Sequence, residues 1–205
     1  RIVAHKPRRL SHLDAAAIPL TAITAWEALV ENMGIAPTDH SSIEGARTLL
    51  VVGGAGGVGS IAIQLARQVC GLRVIATASR PETVAWCERL GADAVIDHTK
   101  PLLPQLQALG DDGVDLVLNT APPDQNLPQV LEVVRPFGHV CGIVAPSGPL
   151  APGPLFRKRG DLSFEYMFCR PLFGLDLERQ GAILAQVADL LDQGVLLGTR
   201  TATLP

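Results

Sequence analysis

The chain has 205 residues, of which 47% are hydrophobic and 18% charged, with a formal net charge of −3. That composition fits a globular protein rather than a disordered or fibrous one, and a chain of this length should bury roughly 70% of its unfolded surface without disulfide or metal staples. The mild acidity excludes the basic footprint of a nucleic-acid-binding protein, and no apolar run reaches the ~20 residues that span a bilayer.

The small basic cluster Arg1, Lys6, Arg8 and Arg9 reads as a solvated linker. The cysteines Cys70, Cys87, Cys141 and Cys169 do not have metal-ligand spacing, and three of them lie in apolar runs. No secretory leader pattern is legible. We therefore expect a reduced, cytoplasmic protein that holds no metal.

In chain order, residues 1–20 form a lead-in with a short helix at 13–17, stopped near Pro19. Residues 21–31 read as a helix with Ile23, Trp26, Leu29 and Val30 on one face. A polar loop containing Pro37 and Gly45 follows over 33–46. This divides the chain into lead-in helices and linker (1–46) and a cofactor-type domain (47–205).

From residue 47 the pattern becomes strand, helix, strand, helix. A strand at 48–52 precedes a helix at 57–70 carrying Ile61, Leu65 and Val69 and ended by Gly71. A strand at 73–78 precedes a helix at 81–90, with Pro81 in its first turn and Gly91 at its end. Next come a strand at 94–97, a helix at 102–109, a strand at 114–119, a helix at 125–135 and a strand at 138–144. A loop rich in Pro and Gly spans 146–154. A sixth strand is expected at 163–168 and a long amphipathic helix at 177–191, ended by Gly194.

Runs such as 114–118 lack alternation, as expected of parallel strands covered on both faces. Strands alternating with helices imply right-handed crossovers. The fold class is therefore α/β, a Rossmann doubly wound parallel six-stranded sheet with helices on both faces.

The most informative motif is Gly53-Gly54-Ala55-Gly56-Gly57-Val58-Gly59, which contains G-x-G-x-x-G at Gly54, Gly56 and Gly59. It follows an apolar strand and opens a helix, the context that gives the pattern meaning. Gly54 permits the tight turn, Gly56 lets the backbone approach a pyrophosphate, and Gly59 lets the helix pack on the strand. The helix N-terminus then offers free N–H groups and partial positive charge to phosphate.

The end of the second strand selects the dinucleotide. An NAD site usually places Asp or Glu ~20 residues after the motif, on the ribose 2′-OH. Counting on from Gly59 reaches Ala78, followed by Ser79 and Arg80. A hydroxyl and a guanidinium suit a 2′-phosphate, which points to NADP(H). Asn119, Thr120 and Ala121 end the fourth strand beside the switch point where a nicotinamide lies, and as residue types they suit a strand-end turn equally well. Lys100, Arg157, Lys158 and Arg159 read as solvated, and His98 and His139 as structural histidines.

Three segments then carry a likeness beyond the motif: LTAITAW at 20–26, GGAGGVG at 53–59 and TASRPETVAWCERLGADAVIDH at 77–98. With them the chain resembles the medium-chain dehydrogenase/reductase superfamily, nearest to the zinc-type alcohol dehydrogenase-like proteins of the quinone oxidoreductase branch. FEYMFCRPLF at 164–173 strengthens the likeness. The resemblance implies a split architecture whose GroES-like catalytic domain lies outside this chain. It also implies hydride transfer from the nicotinamide to an activated carbonyl or an enone such as a quinone. By matching position it puts Thr24 near the nicotinamide and Ser79 and Arg80 near the adenosine phosphate. Catalytic zinc ligands and catalytic residues would fall outside the chain. The resemblance further implies homodimers joined edge to edge, and the apolar strand expected at 164–168 is the edge available for it.

A short-chain dehydrogenase would need Lys four residues after its Tyr, whereas Tyr166 is followed at that distance by Arg170. A methyltransferase would want an acid ending strand two. A non-catalytic NADP(H)-binding sensor or scaffold module is the remaining alternative.

Overall fold

The computed structural model describes residues 2–38 and 47–202. Residues 39–46 of the expected loop, Gly45 among them, lie outside the described residues, as does Arg1 of the basic cluster.

The elements run α1 (His12–Ala16), α2 (Pro19–Trp26), β1 (Thr48–Val52), α3 (Gly57–Gln64), β2 (Arg73–Thr77), α4 (Pro81–Arg89), β3 (Ala94–Ile96), α5 (Leu102–Ala108) and β4 (Val114–Asn119). They continue with α6 (Pro123–Val133), β5 (Val134–Gly142), α7 (Gly153–Lys158), β6 (Asp161–Phe164), α8 (Cys169–Phe173) and α9 (Leu177–Gln193). The described strands form one six-stranded sheet in the order β3-β2-β1-β4-β5-β6. Every pairing is parallel. This is the doubly wound arrangement read from the sequence, and the strand order reverses between β1 and β4.

Strand periodicity sends alternate residues to opposite faces, so each central strand feeds two cores. Leu49 and Val51 of β1 join Val74, Ala76, Leu116 and Leu118 under α2, α3 and α9. Leu50 and Val52 join Ile75 and Val117 under α5 and α6. The lead-in helix belongs to the first core, to which it contributes Ala22, Ile23, Trp26 and Leu29.

Two expected α-helices change pitch before they end. α2 continues as a π-helix over Glu27–Asn32, and α3 as another over Leu65–Val69. β5 starts at Val134, four residues before the expected start at 138, and passes through an irregularity where Phe137 adopts a φ of 63°. The Pro/Gly-rich loop leads into α7. Lys158, expected to be solvated, instead donates its Nζ to the carbonyls of Leu131, Glu132 and Val134 at 2.8, 2.7 and 2.6 Å. It thereby satisfies acceptors left open where α6 ends.

The sixth strand needs correction. It spans Asp161–Phe164, so of the edge expected at 164–168 only Phe164 is strand. Its partner β5 ends at Gly142, which pairs with Phe164. The ladder closes with the Glu165 N–H donating to the Gly142 carbonyl at 2.8 Å. Beyond that point no strand among the described residues stands alongside to accept hydrogen bonds, and the chain turns into α8, with Cys169 N–H donating to Tyr166 O at 2.8 Å.

This corner is held by charge. Arg170 pairs with Glu27 at 2.9 Å, with Asp176 at 2.8 Å, and with Glu31. Glu165 sits against the same group, with Asn32 Nδ2 3.4 Å from its Oε2. Burial, then a hydrogen bond to Glu27 and the charges of Glu27 and Glu31, push its carboxyl from 4.5 up to about 8. The folded protein therefore holds a proton at Glu165 that the unfolded chain releases, so stability falls as pH rises from about 4.5 toward 8. Urea titrations across that range should show this decline, and Glu165→Gln should flatten it.

Candidate functional site

The carboxyl ends of β1, β2 and β4 converge on the turn 53–59. Gly53 adopts a φ of 80°, a conformation that favours glycine. Its N–H donates to Thr77 Oγ1 at 2.9 Å, and the Gly54 N–H donates to the Thr77 carbonyl at 3.1 Å. From the other side, Thr120 Oγ1 donates to the Val52 carbonyl at 2.6 Å. The turn is thus fastened to both neighbouring strands.

The motif glycines have different reasons. A Cβ on Gly59 would lie 2.3 Å from the Gly53 carbonyl oxygen, and one on Gly54 would lie 2.8 Å from Ala76 Cβ and 3.0 Å from Cys87 Sγ. Helix–strand packing forbids both. Burial pushes the Cys87 thiol up to about 11, so this sulfur is a neutral packing group under the turn. A Cβ on Gly56 would meet only the Gly53 oxygen, at 3.2 Å. The protein's own packing restricts that position less than it does Gly54 and Gly59, and its exposed side is open to a ligand.

α3 begins immediately after Gly56, and the Ser60 N–H makes the helical bond to the Gly56 carbonyl at 2.8 Å. The amides of Gly57, Val58 and Gly59 precede it in the first turn, where no intrahelical acceptor exists. Gly56 and Gly57 are exposed and Ala55 and Val58 half-buried. Backbone donors, helix dipole and open access together make an anion cradle, and this geometry fits a dinucleotide pyrophosphate.

Ser79 and Arg80 stand exposed just beyond β2, at the same end of the sheet. The Arg80 backbone forms the entry to α4, its carbonyl accepting from Thr83 Oγ1 at 2.8 Å. Its guanidinium projects outward, 70% exposed, with Nε 3.1 Å from a carboxylate oxygen of Glu82.

Asn119 is buried and exchanges amide hydrogen bonds with Asn126 at 2.8 and 2.9 Å. Asn119 and Thr120 therefore border the switch point with side chains engaged by the protein. Thr24 is likewise buried, its hydroxyl donating to the Leu20 carbonyl at 2.9 Å.

Sequence reasoning missed Thr21, whose Cγ2 would lie 3.0 Å from a Cβ on Gly57, and Thr77, which anchors the turn. Thr77 carried a signal only as a polar residue near the expected end of the second strand; Thr21 carried none, because its approach to α3 is tertiary. A cleft of about 240 Å³ adjoins the turn, lined by Gly53, Thr77, His98, Leu102, Ala121 and Gln125. His98, read as structural, faces this cleft, whereas His139 bonds Ser163 Oγ at 2.7 Å.

A family model described as "Zinc-binding dehydrogenase" matches residues 57–168, more than half of the chain. A zinc-type alcohol dehydrogenase-like protein of Staphylococcus epidermidis is 36% identical over 98% of this chain and 59% of its own length. The chain belongs to the zinc-binding dehydrogenase family. Within the medium-chain dehydrogenase/reductase superfamily it corresponds to the cofactor-binding domain, and it spans about three-fifths of that curated relative's length.

Among solved structures, a zinc-dependent alcohol dehydrogenase protein from Rhizobium etli superposes with a TM-score of 0.86 at 44% identity, covering 96% of this chain and 57% of that one. A quinone oxidoreductase from Thermus thermophilus, described also in complex with NADPH, gives a TM-score of 0.67 at 31% identity, covering 94% and 55%. Despite the family's name, the described residues contain no group of three or more His, Cys, Asp or Glu arranged to hold a metal.

Since Gly59 faces backbone rather than a movable side chain, Gly59→Ala should cost at least about 1–3 kcal/mol. Chemical denaturation would measure it, and a loss below about 0.5 kcal/mol, the size of an ordinary surface substitution, would refute this account of the turn.

Proposed function

We propose that this chain binds NADP(H) and presents its nicotinamide for hydride transfer, in an oxidoreductase that reduces quinones, enones or activated carbonyls. The observation that carries the reading is the turn 53–59, with its open first-turn amides, followed at the end of β2 by exposed Ser79 and Arg80. The first binds a pyrophosphate; the second offers a hydroxyl and a guanidinium, and no carboxylate in sequence at that point, to the adenosine ribose. The likeness to a quinone oxidoreductase described with NADPH supports the cofactor and the substrate class. In this reading the cleft beside Thr77 and His98 receives the adenosine moiety. The substrate wall and the catalytic residues come from the GroES-like domain outside the chain. Cys70, Cys87 and Cys141 are buried free thiols, which suits the reducing cytoplasm.

We also infer that the protein pairs with a second copy through β6. β6 is the last strand of the sheet, and Tyr166 and Phe168 just beyond it are 58% and 47% exposed. An edge strand flanked by exposed aromatics favours pairing. Light scattering on the purified chain should give a dimer mass, and a monomer at high concentration would refute the pairing for this chain.

For the cofactor, Gly56→Val should abolish NADPH binding, read by nicotinamide fluorescence, in a protein whose circular dichroism is unchanged. Arg80→Ala should cost about 1–2 kcal/mol of NADPH affinity with little change for NADH, the low end for charged hydrogen bonds because the guanidinium is well solvated. Calorimetry with both dinucleotides would measure it; a mutant that keeps the full preference rules Arg80 out as the reader of the 2′-phosphate.

A further inference from the structure

A Rossmann site that prefers NAD places a carboxylate at the end of the second strand, where it accepts a hydrogen bond from the ribose 2′-OH. Read along the chain, no carboxylate stands there. One follows shortly after: α4 starts at Pro81, and in its first turn the Glu82 carboxylate lies 3.1 Å from Arg80 Nε. Both side chains are largely solvated, at 70% and 67% exposure, so packing leaves each free to reach a ligand.

The geometry of the pair matters. Arg80 meets Glu82 through Nε, which occupies one side of the guanidinium fork and leaves the Nη donors available to a second acceptor. A 2′-phosphate can therefore be held by Arg80 while Glu82 stays in place. It must then sit near that carboxylate, and at neutral pH a phosphate monoester carries nearly two negative charges. A ribose 2′-OH meets no such repulsion and can donate to the same carboxylate.

We propose that Glu82 is a specificity-determining residue that moderates NADP(H) binding and admits NAD(H), making the site one of dual cofactor use. The proposal rests on the reading that Arg80 faces the adenosine ribose. Glu82 neutralises part of the Arg80 charge, opposes the 2′-phosphate and supplies the acceptor that an NAD ribose needs. Because the pair is solvated, its influence is a matter of a few-fold in affinity and is screened by salt.

The test is a fluorescence titration of the chain with NADPH and with NADH, for wild type, Glu82→Gln, Arg80→Gln and the double variant, at low salt and at high salt. Glu82→Gln should tighten NADPH by about three- to fivefold and leave NADH unchanged or weaker, and the gain should shrink toward nothing in ~1 M salt. In the Arg80→Gln background the same substitution should still favour NADPH, since the repulsion does not depend on the arginine.

If Arg80→Gln removes the NADPH preference while Glu82→Gln shifts neither cofactor, or shifts both alike, the role of Glu82 is overturned and the reading of Arg80 stands. If Arg80→Gln leaves the preference intact, or the wild-type chain binds neither dinucleotide, the reading of the site falls and this inference with it. Thermal melts identify a variant that has merely lost its fold; Glu82→Ser then repeats the charge removal with a residue suited to the start of a helix.

Discussion

The structure depends on one close approach. The first turn of α3 packs so tightly on the end of β1 that a single methyl at Gly59 would intrude to 2.3 Å from the Gly53 oxygen. That contact sets where the helix axis points, and so where its free amides and dipole point, which is over the gap where the strand order reverses. The neighbouring strands then lock the turn. Thr77 takes the Gly53 amide, and Thr120 reaches across to the Val52 carbonyl. The anion cradle is thus a product of main-chain geometry, with few side chains to vary.

Around this point the sheet separates its tasks. β1 and β4 are buried on both faces and supply rigidity. The lead-in helix α2 closes one face and carries Thr21 to the edge of the turn. At the far side, β6 and α8 are tied down by charge, chiefly through the contacts of Arg170 with Glu27, Glu31 and Asp176. An arginine with several carboxylate partners orients a loop more firmly than one surface ion pair does, which suits a segment bordering an exposed sheet edge.

The end of β2 has the opposite character. Ser79 and Arg80 are exposed, and the Arg80–Glu82 pair is set by solvated side chains on a capped helix start. Groups of this kind can be exchanged without disturbing the fold, because no core contact depends on them.

Much of this was legible in the residues. The uninterrupted apolar runs at β1 and β4 and the glycine turn depend on local periodicity and on backbone conformations that few residues adopt, so one sequence is enough to place them. The parallel sheet and its switch point follow from strand–helix alternation. Other features depend on which side chains and backbone groups meet, and only the folded structure decided them. β6 ends at Phe164 because β5 ends at Gly142, although the apolar run continues. Lys158 is not solvated because the end of α6 offers it carbonyls. Thr24 and Asn119 turn inward to protein acceptors. The sequence by itself determined the parallel six-stranded sheet class and the glycine turn, because those rest on local periodicity and backbone rules; strand order and side-chain partners were settled only once the chain had folded.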